Sequence, residues 1–193
     1  VTLNTTVNKI LTNENRAIGV QLESGEKISA DYVVSNADLQ NTYDSLLGHK
    51  KKKRWTKNKL DKKNWSMSLF VWHFGTSKTR SKWKDVGHHT ILVGPSYKKE
   101  VNDIFIKGKL PQEMSLYVHR PSVTDKTCAP KGDDTFYVLA CVPNLSFKNN
   151  IYWRNIEKSY KKKILDVLET RLLPGLGRSI KTEYVMTPLD FKE

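Results

Sequence analysis

The chain has 193 residues, 38% of them apolar, and a formal charge of +13. That is enough for one large or two small domains with a real core, but no apolar run approaches the roughly 20 residues that span a bilayer. The two cysteines, Cys128 and Cys141, offer neither metal-ligand spacing nor a disulfide framework and fit a reducing cytosol.

Residues 1–10 predict a strand, and Asn13-Glu14-Asn15 a turn into a second strand in which Ile18, Val20 and Leu22 alternate with Gly19 and Gln21. Ser24-Gly25 turns the chain again, completing a small meander. Residues 30–38, ADYVVSNAD, are a short apolar run that ends in small and polar residues. This suits a buried strand whose carboxyl end opens on a ligand crevice. Apolar positions 39, 43, 46 and 47 predict a short helix stopped by Gly48.

The charge is concentrated next. Residues 50–63 hold nine Lys or Arg and one acid, Asp61, a net +8, which leaves +5 for the rest. The segment reads as a surface connector, or as a patch attracted to an anionic surface such as a membrane or nucleic acid. Trp55 and Leu60 are its apolar contacts for a headgroup boundary.

Residues 66–75, SMSLFVWHFG, form a strand with Met67, Leu69 and Val71 on one face and Phe70, Trp72 and Phe74 on the other. A further strand runs from His88 to Gly94. Adjacent histidines on a strand point to opposite faces, and His49, His73 and His119 add no ligand spacing, so no metal site is expected. Residues 97–105 predict a turn or two of helix.

Two runs, 115–119 and 135–142, are apolar at odd and even positions alike, and neither face is built for water. They predict a long hairpin at the centre of a sheet, with Asp125, Asp133 and Asp134 in its turn-rich connection. Residues 155–173 are the clearest helix, with a stripe of Ile156, Tyr160, Ile164, Val167, Leu168 and Leu172. Pro174-Gly175 ends it. Gly175-Leu176-Gly177 follows a helix and lacks a third glycine, so it is a helix stop and not a dinucleotide fingerprint. Residues 182–187 predict the last strand.

The string SLYVHRPSVTDKTCAPKGDDTFYVLACVPNL, preceded by HHTILVGPSYKKEVNDIF, resembles the bacterial and fungal type of phytoene desaturase, flavin-dependent carotenoid desaturases of the amine-oxidase-like superfamily. The resemblance runs from about Val1 to Phe191. It departs where the family usually reads Ala-Pro-Val-Pro and this chain has Ala140-Cys141-Val142-Pro143.

The resemblance implies an α/β (α+β mixed) fold. Residues 1–48 would be part of an FAD-binding Rossmann-like domain with an antiparallel meander, 49–65 a basic connector, and 66–193 a mixed β-sheet substrate domain flanked by helices. It also implies that the chain is a piece, with a nucleotide-binding segment before Val1 and a flavin-closing segment after Glu193. FAD would be contacted by backbone at Val7 and by the strand-end loop Ser35, Asn36 and Ala37. Phe70, Trp72, Tyr117, His119 and Tyr137 are candidates for the wall of an apolar tunnel; the competing reading of Phe70 and Trp72 is ordinary core.

The implied activity is stepwise dehydrogenation of phytoene by a cytoplasmic, peripherally membrane-associated enzyme. Its implied partners are phytoene or a related carotenoid, a lipid surface, and a quinone or oxygen as later electron acceptor; nucleic acid is not expected. The residues show no nucleophile with a base and no paired carboxylates, and no catalytic residue is assigned. Alternatives are a related carotenoid desaturase, isomerase or ketolase, and a non-enzymatic basic module that binds membrane or nucleic acid.

Overall fold

A computed structural model describes residues 1–48, 55–60, 62–147 and 151–192. The chain divides into two compact units, Val1–Asn64 and Trp65–Glu193. Each carries its own sheet, and every strand pair in both is antiparallel. The mixed sheet expected in the second unit is therefore corrected to an antiparallel one.

In the first unit β1 (Val7–Asn13), β2 (Arg16–Leu22) and β3 (Lys27–Ser29) form the meander. Glu14, at φ 49°, makes the first turn. Register shifts between Val7 and Lys9 and between Leu11 and Thr12 break the strict alternation. Ile10 and Leu22 are buried while Ile18 is exposed. Gly19 is required where it stands: its φ is 148°, and a Cβ there would lie 2.1 Å from the Ile28 carbonyl oxygen of β3.

Beyond β3 the chain departs from the sequence expectation. Residues 31–37 are irregular, and Tyr32 and Val34 are 87% and 92% exposed. No strand among the described residues pairs with them. Asp38 then caps a short helix, accepting a hydrogen bond from the Gln40 amide at 2.8 Å. This helix, α1 (Leu39–Asn41), runs on into a π-helical turn, Thr42–Leu46. α2 (Lys57–Leu60) lies in the basic segment; residues 49–54 and 61, with much of the local charge, are outside the described residues. Leu60 is buried and so is not free to meet lipid.

The second unit is a five-stranded sheet in the order β5-β6-β7-β4-β8, comprising β4 (Ser68–Thr76), β5 (His89–Leu92), β6 (Leu116–His119), β7 (Asp134–Val142) and β8 (Ile180–Met186). The hairpin expected from the two apolar runs is β6 and β7. The register pairs Phe70 with Ala140, Trp72 with Val138 and Phe74 with Phe136, and Leu116 and Val118 also pair with Ala140 and Val138. These residues share one face, and all are buried.

α4 (Trp153–Arg171) covers that face with Trp153, Tyr160, Ile164 and Leu168. Phe70 meets the edge of Tyr160 at 5.0 Å between ring centres. After α4, Gly175 at φ 73° turns the chain, and the Gly177 amide donates to Glu169 at 2.9 Å. The Gly-Leu-Gly string is the helix stop the sequence implies. α3 (Tyr97–Phe105) is pinned by its buried Glu100, which accepts from the Ser115 amide at 2.7 Å and the Ser115 hydroxyl at 2.5 Å. The chain before α3 passes so close to Met114 that a Cβ on Gly94 would sit 3.1 Å from its backbone.

At one end of the sheet lies a buried ion pair between Arg120, just past β6, and Asp134, the first residue of β7. The guanidinium binds the carboxylate through two N–H groups, at 3.1 and 2.8 Å. Its other three N–H groups go to the carbonyls of Trp83, Val86 and Arg80, at 2.5, 3.0 and 3.2 Å. All five donors of the side chain are thus used. Asp134 also accepts from Ser122 and Thr79, each at 2.8 Å. Asp125 does shape its turn, accepting from Thr127. Asp134 is not a turn residue but the buried anion of this network.

Burial pushes the Asp134 carboxyl up, but hydrogen bonds from Arg120, Ser122 and Thr79 and the guanidinium charge outweigh it and hold it below the ordinary carboxylate value. A folded-state pKa below the unfolded one gives stability that is fully present above the unfolded pKa and lost as pH falls through the folded one. Asp134→Asn leaves Arg120 buried without its counter-ion and is expected to destabilise by about 3–5 kcal/mol. Urea midpoints at neutral pH check this. The variant should also lose less stability than the parent below about pH 4, where carboxylates titrate.

Candidate functional site

The two faces of the second unit's sheet differ in chemistry. Opposite the core face, the register sets His73 against Tyr137, Val71 against Leu139 and Leu69 against Cys141. It also sets Tyr117 against Leu139 and His119 against Tyr137, and His89 and Ile91 on β5 against His119 and Tyr117. β8 adds Tyr184 and Met186 beside His73 and Val71. This second face is therefore apolar and aromatic with imidazoles at one side. It is partly open: Ile91 and Tyr184 are 69% and 61% exposed.

The five residues predicted for one apolar wall do not share a wall. Phe70 and Trp72 lie on the core face, 0% and 1% exposed. The Trp72 ring is locked there, its N–H donating to Glu183 of β8 at 2.9 Å, while Glu183 also binds Lys161 of α4. Tyr117, His119 and Tyr137 lie together on the opposite face. His119 is 4.5 Å from Tyr137 and Tyr117 is 5.9 Å from Tyr137, between ring centres. Burial first, and then the hydrogen bond with Tyr137, push the Tyr117 hydroxyl above the ordinary tyrosine value. It stays protonated at neutral pH.

Three histidines edge this face. The strand begins at His89, and His88 sits in the bend before it, so the alternation rule does not separate them; their rings stack at 4.3 Å. His88 Nε2 is 2.7 Å from His119 Nε2, and His89 Nδ1 is 2.6 Å from the Tyr117 hydroxyl. The expectation that adjacent histidines cannot converge is corrected by this bend. Burial, followed by the charges of His88 and His89, lowers the His119 pKa, favouring its neutral form.

In the first unit, Ser35 and Ala37 are both tied to Thr42, whose hydroxyl lies 2.8 Å from the Ser35 hydroxyl and donates to the Ala37 carbonyl at 3.3 Å. Asn36 lies between them, exposed. Val7 opens β1, an edge strand of the meander, and pairs with Leu22. The outward backbone groups of an edge strand have no ladder partner on that side. Two open grooves on the meander, one at Asn13, Arg16 and Asp31 and one at Asn4, Thr6 and Glu23, include none of these four residues.

No family model matches the chain. Over 192 residues, 99% of its length, it is 57% identical to a phytoene desaturase (neurosporene-forming) of Rhodobacter capsulatus. It is 49% identical over 191 residues to the corresponding protein of Cereibacter sphaeroides, and 46% over 189 to a phytoene desaturase (lycopene-forming) of a Paracoccus species. The chain belongs to the phytoene desaturase family. It spans 37% of the length of each of these curated relatives.

The fold of this desaturase-family chain is also similar to the crystal structure of an oxidoreductase from Methanosarcina mazei, with a TM-score of 0.56 and 16% identity over 94% of this chain and 36% of that one. Sequence reasoning did not single out Arg120 or the convergence of His88, His89 and His119. The tripeptide His119-Arg120-Pro121 was the available signal, since a lone Arg between an apolar strand and a turn proline has few places to put its charge except against an acid.

The two faces predict different responses. Phe70→Ala or Trp72→Ala removes a core ring and should destabilise by about 3–5 kcal/mol. Tyr137→Phe keeps its ring and should cost about 1 kcal/mol, the scale of one hydrogen bond. Urea denaturation of the three variants beside the parent checks the assignment of faces.

Proposed function

We propose that the chain takes part in the FAD-dependent dehydrogenation of phytoene, contributing an edge of the cofactor site from its first unit and a substrate wall from its second. The observation that carries this reading is the 57% identity to a phytoene desaturase across nearly the whole chain. The open face at Tyr117, His119 and Tyr137 is the part of the second unit suited to a long hydrocarbon: broad, aromatic and distinct from the sealed core. Phe70 and Trp72 support that wall from behind and do not line it.

In this proposal the first unit holds the flavin nucleotide through backbone near Val7 and at residues 35–37. β1 offers unladdered backbone groups on its outer edge near Val7, and residues 35–37 offer exposed backbone held in place through Thr42. Bound there, FAD supplies the acceptor for hydride from an allylic C–H. The chain's own part is to hold the polyene in register and keep water from the reacting carbons. Tyr117, kept protonated, adds a polar rim without a charge.

The lipid surface, a quinone or oxygen as later acceptor, and a cytoplasmic, membrane-peripheral location belong to the same proposal. Among the described residues no helix is long and apolar enough to cross a membrane; in this proposal the basic residues of 50–63 contribute to the attachment.

The chain contains no G-x-G-x-x-G, the turn whose helix N-terminus holds a pyrophosphate. Purified as 193 residues it should therefore lack stoichiometric flavin in its visible spectrum. Within a polypeptide of the relatives' full length, expressed in phytoene-producing bacteria, it should yield coloured desaturated products and a flavin spectrum. Phytoene left unchanged by a folded, flavin-bound protein would overturn the proposed reaction.

A further inference from the structure

The imidazoles of His88, His89 and His119 present one ligating nitrogen each, and these nitrogens all lie within 4.8 Å of one another. No other group of three His, Cys, Asp or Glu among the described residues converges in this way. We propose that these three histidines, at the margin of the face assigned to the substrate above, form a site for one divalent transition-metal ion.

The backbone under the site is anchored. His89 and His119 are direct register partners across β5 and β6. The His88 carbonyl accepts from the Arg120 amide at 2.8 Å, and Arg120 is the side chain fixed at all five of its donors. The three rings therefore stand on a frame that does not depend on a metal for its position.

Two of the three imidazoles have an oxygen partner at Nδ1. His88 Nδ1 is 2.6 Å from the Thr124 hydroxyl and His89 Nδ1 is 2.6 Å from the Tyr117 hydroxyl. Each hydroxyl oxygen can accept a ring N–H, and when it does the proton is on Nδ1 and the lone pair on Nε2. That is the tautomer needed for ligation through Nε2, and an outer hydrogen bond of this kind is what orients a metal-bound imidazole. His88 Nε2 and His119 Nε2, at 2.7 Å, cannot both point lone pairs at each other without a proton or a cation between them.

The dimensions suit a small cation after modest side-chain rotation. Zinc–nitrogen bonds of about 2.0–2.1 Å in tetrahedral geometry separate the nitrogens by about 3.4 Å. The His88–His119 pair must open slightly and the widest pair must close. His89 is exposed, so a fourth position can take water. A set of three imidazoles without carboxylates selects zinc, copper, nickel or cobalt over magnesium or calcium.

The test uses the untagged 193-residue chain, since a polyhistidine tag would mask the site. Equilibrated with zinc chloride and desalted, it should retain one zinc per chain by elemental analysis. Cobalt chloride should give the visible bands of low-symmetry cobalt, and zinc should raise the melting temperature. His89→Ala, at an exposed position, and His119→Gln should each weaken zinc binding by more than about tenfold, the least that loss of even an outer-shell partner costs. His73→Ala, on the same sheet face but outside the cluster, should bind as the parent does. Circular dichroism confirms that each variant is folded, and His89→Ala carries the test if His119→Gln is not. Less than half an equivalent of zinc in the parent, undiminished binding by His89→Ala, or equal loss in His73→Ala would each overturn the site.

Discussion

Arg120 and Asp134 meet at the end of the sheet, where β6 leaves it and β7 enters, and the ion pair ties together segments far apart in sequence. The guanidinium reaches back to carbonyls at Arg80, Trp83 and Val86, and the carboxylate collects Thr79 and Ser122. A charge taken out of water this completely is tolerated only when its hydrogen bonds are filled. Here they are, so the loop over residues 79–86 is fixed against the sheet. Trp83 and Val86 consequently reach the core, and His88 is set in the bend that turns it toward His119.

With that end fixed, the register decides which chemistry each face carries. β4 pairs with β7 so that its even-numbered rings face α4 and its odd-numbered residues face away. One face is closed by Trp153, Tyr160, Ile164 and Leu168 and supplies stability. The other gathers Tyr117, His119, Tyr137, Leu139 and Cys141 with exposed neighbours on β5 and β8, and supplies a surface. The first unit is organised differently: a meander with an open edge, followed by irregular backbone tied to Thr42.

Much of this was legible from the residues. The alternation in residues 66–75, the two apolar runs of the hairpin and the stripe of residues 155–173 each gave the right element, because period-2 and period-3.6 patterns are local. What pairs with what is not local. Nothing in residues 180–186 names β4 as a partner, and the even-with-even register that separates Phe70 from Tyr137 depends on strands some 65 residues apart. A strand expected over residues 30–38 needed neighbours that the described residues do not supply. The bend at His88 is invisible to the alternation rule, which holds only from His89, where the strand starts. Asp134 has the local surroundings of a turn residue, and its buried partner Arg120 is set by the fold and not by local sequence.

The central claim is that the open face, and not the face under α4, meets the polyene. The chain carries its own probes, since Cys141 is half-buried on the open face and Cys128 is exposed in the connection between β6 and β7. In a polypeptide of the relatives' full length, the alkylation rates of the two thiols can be compared on liposomes with and without phytoene. The account predicts that phytoene slows Cys141 while Cys128 reacts at an unchanged rate. Equal rates at Cys141 in both preparations, in a protein that desaturates phytoene, would contradict it.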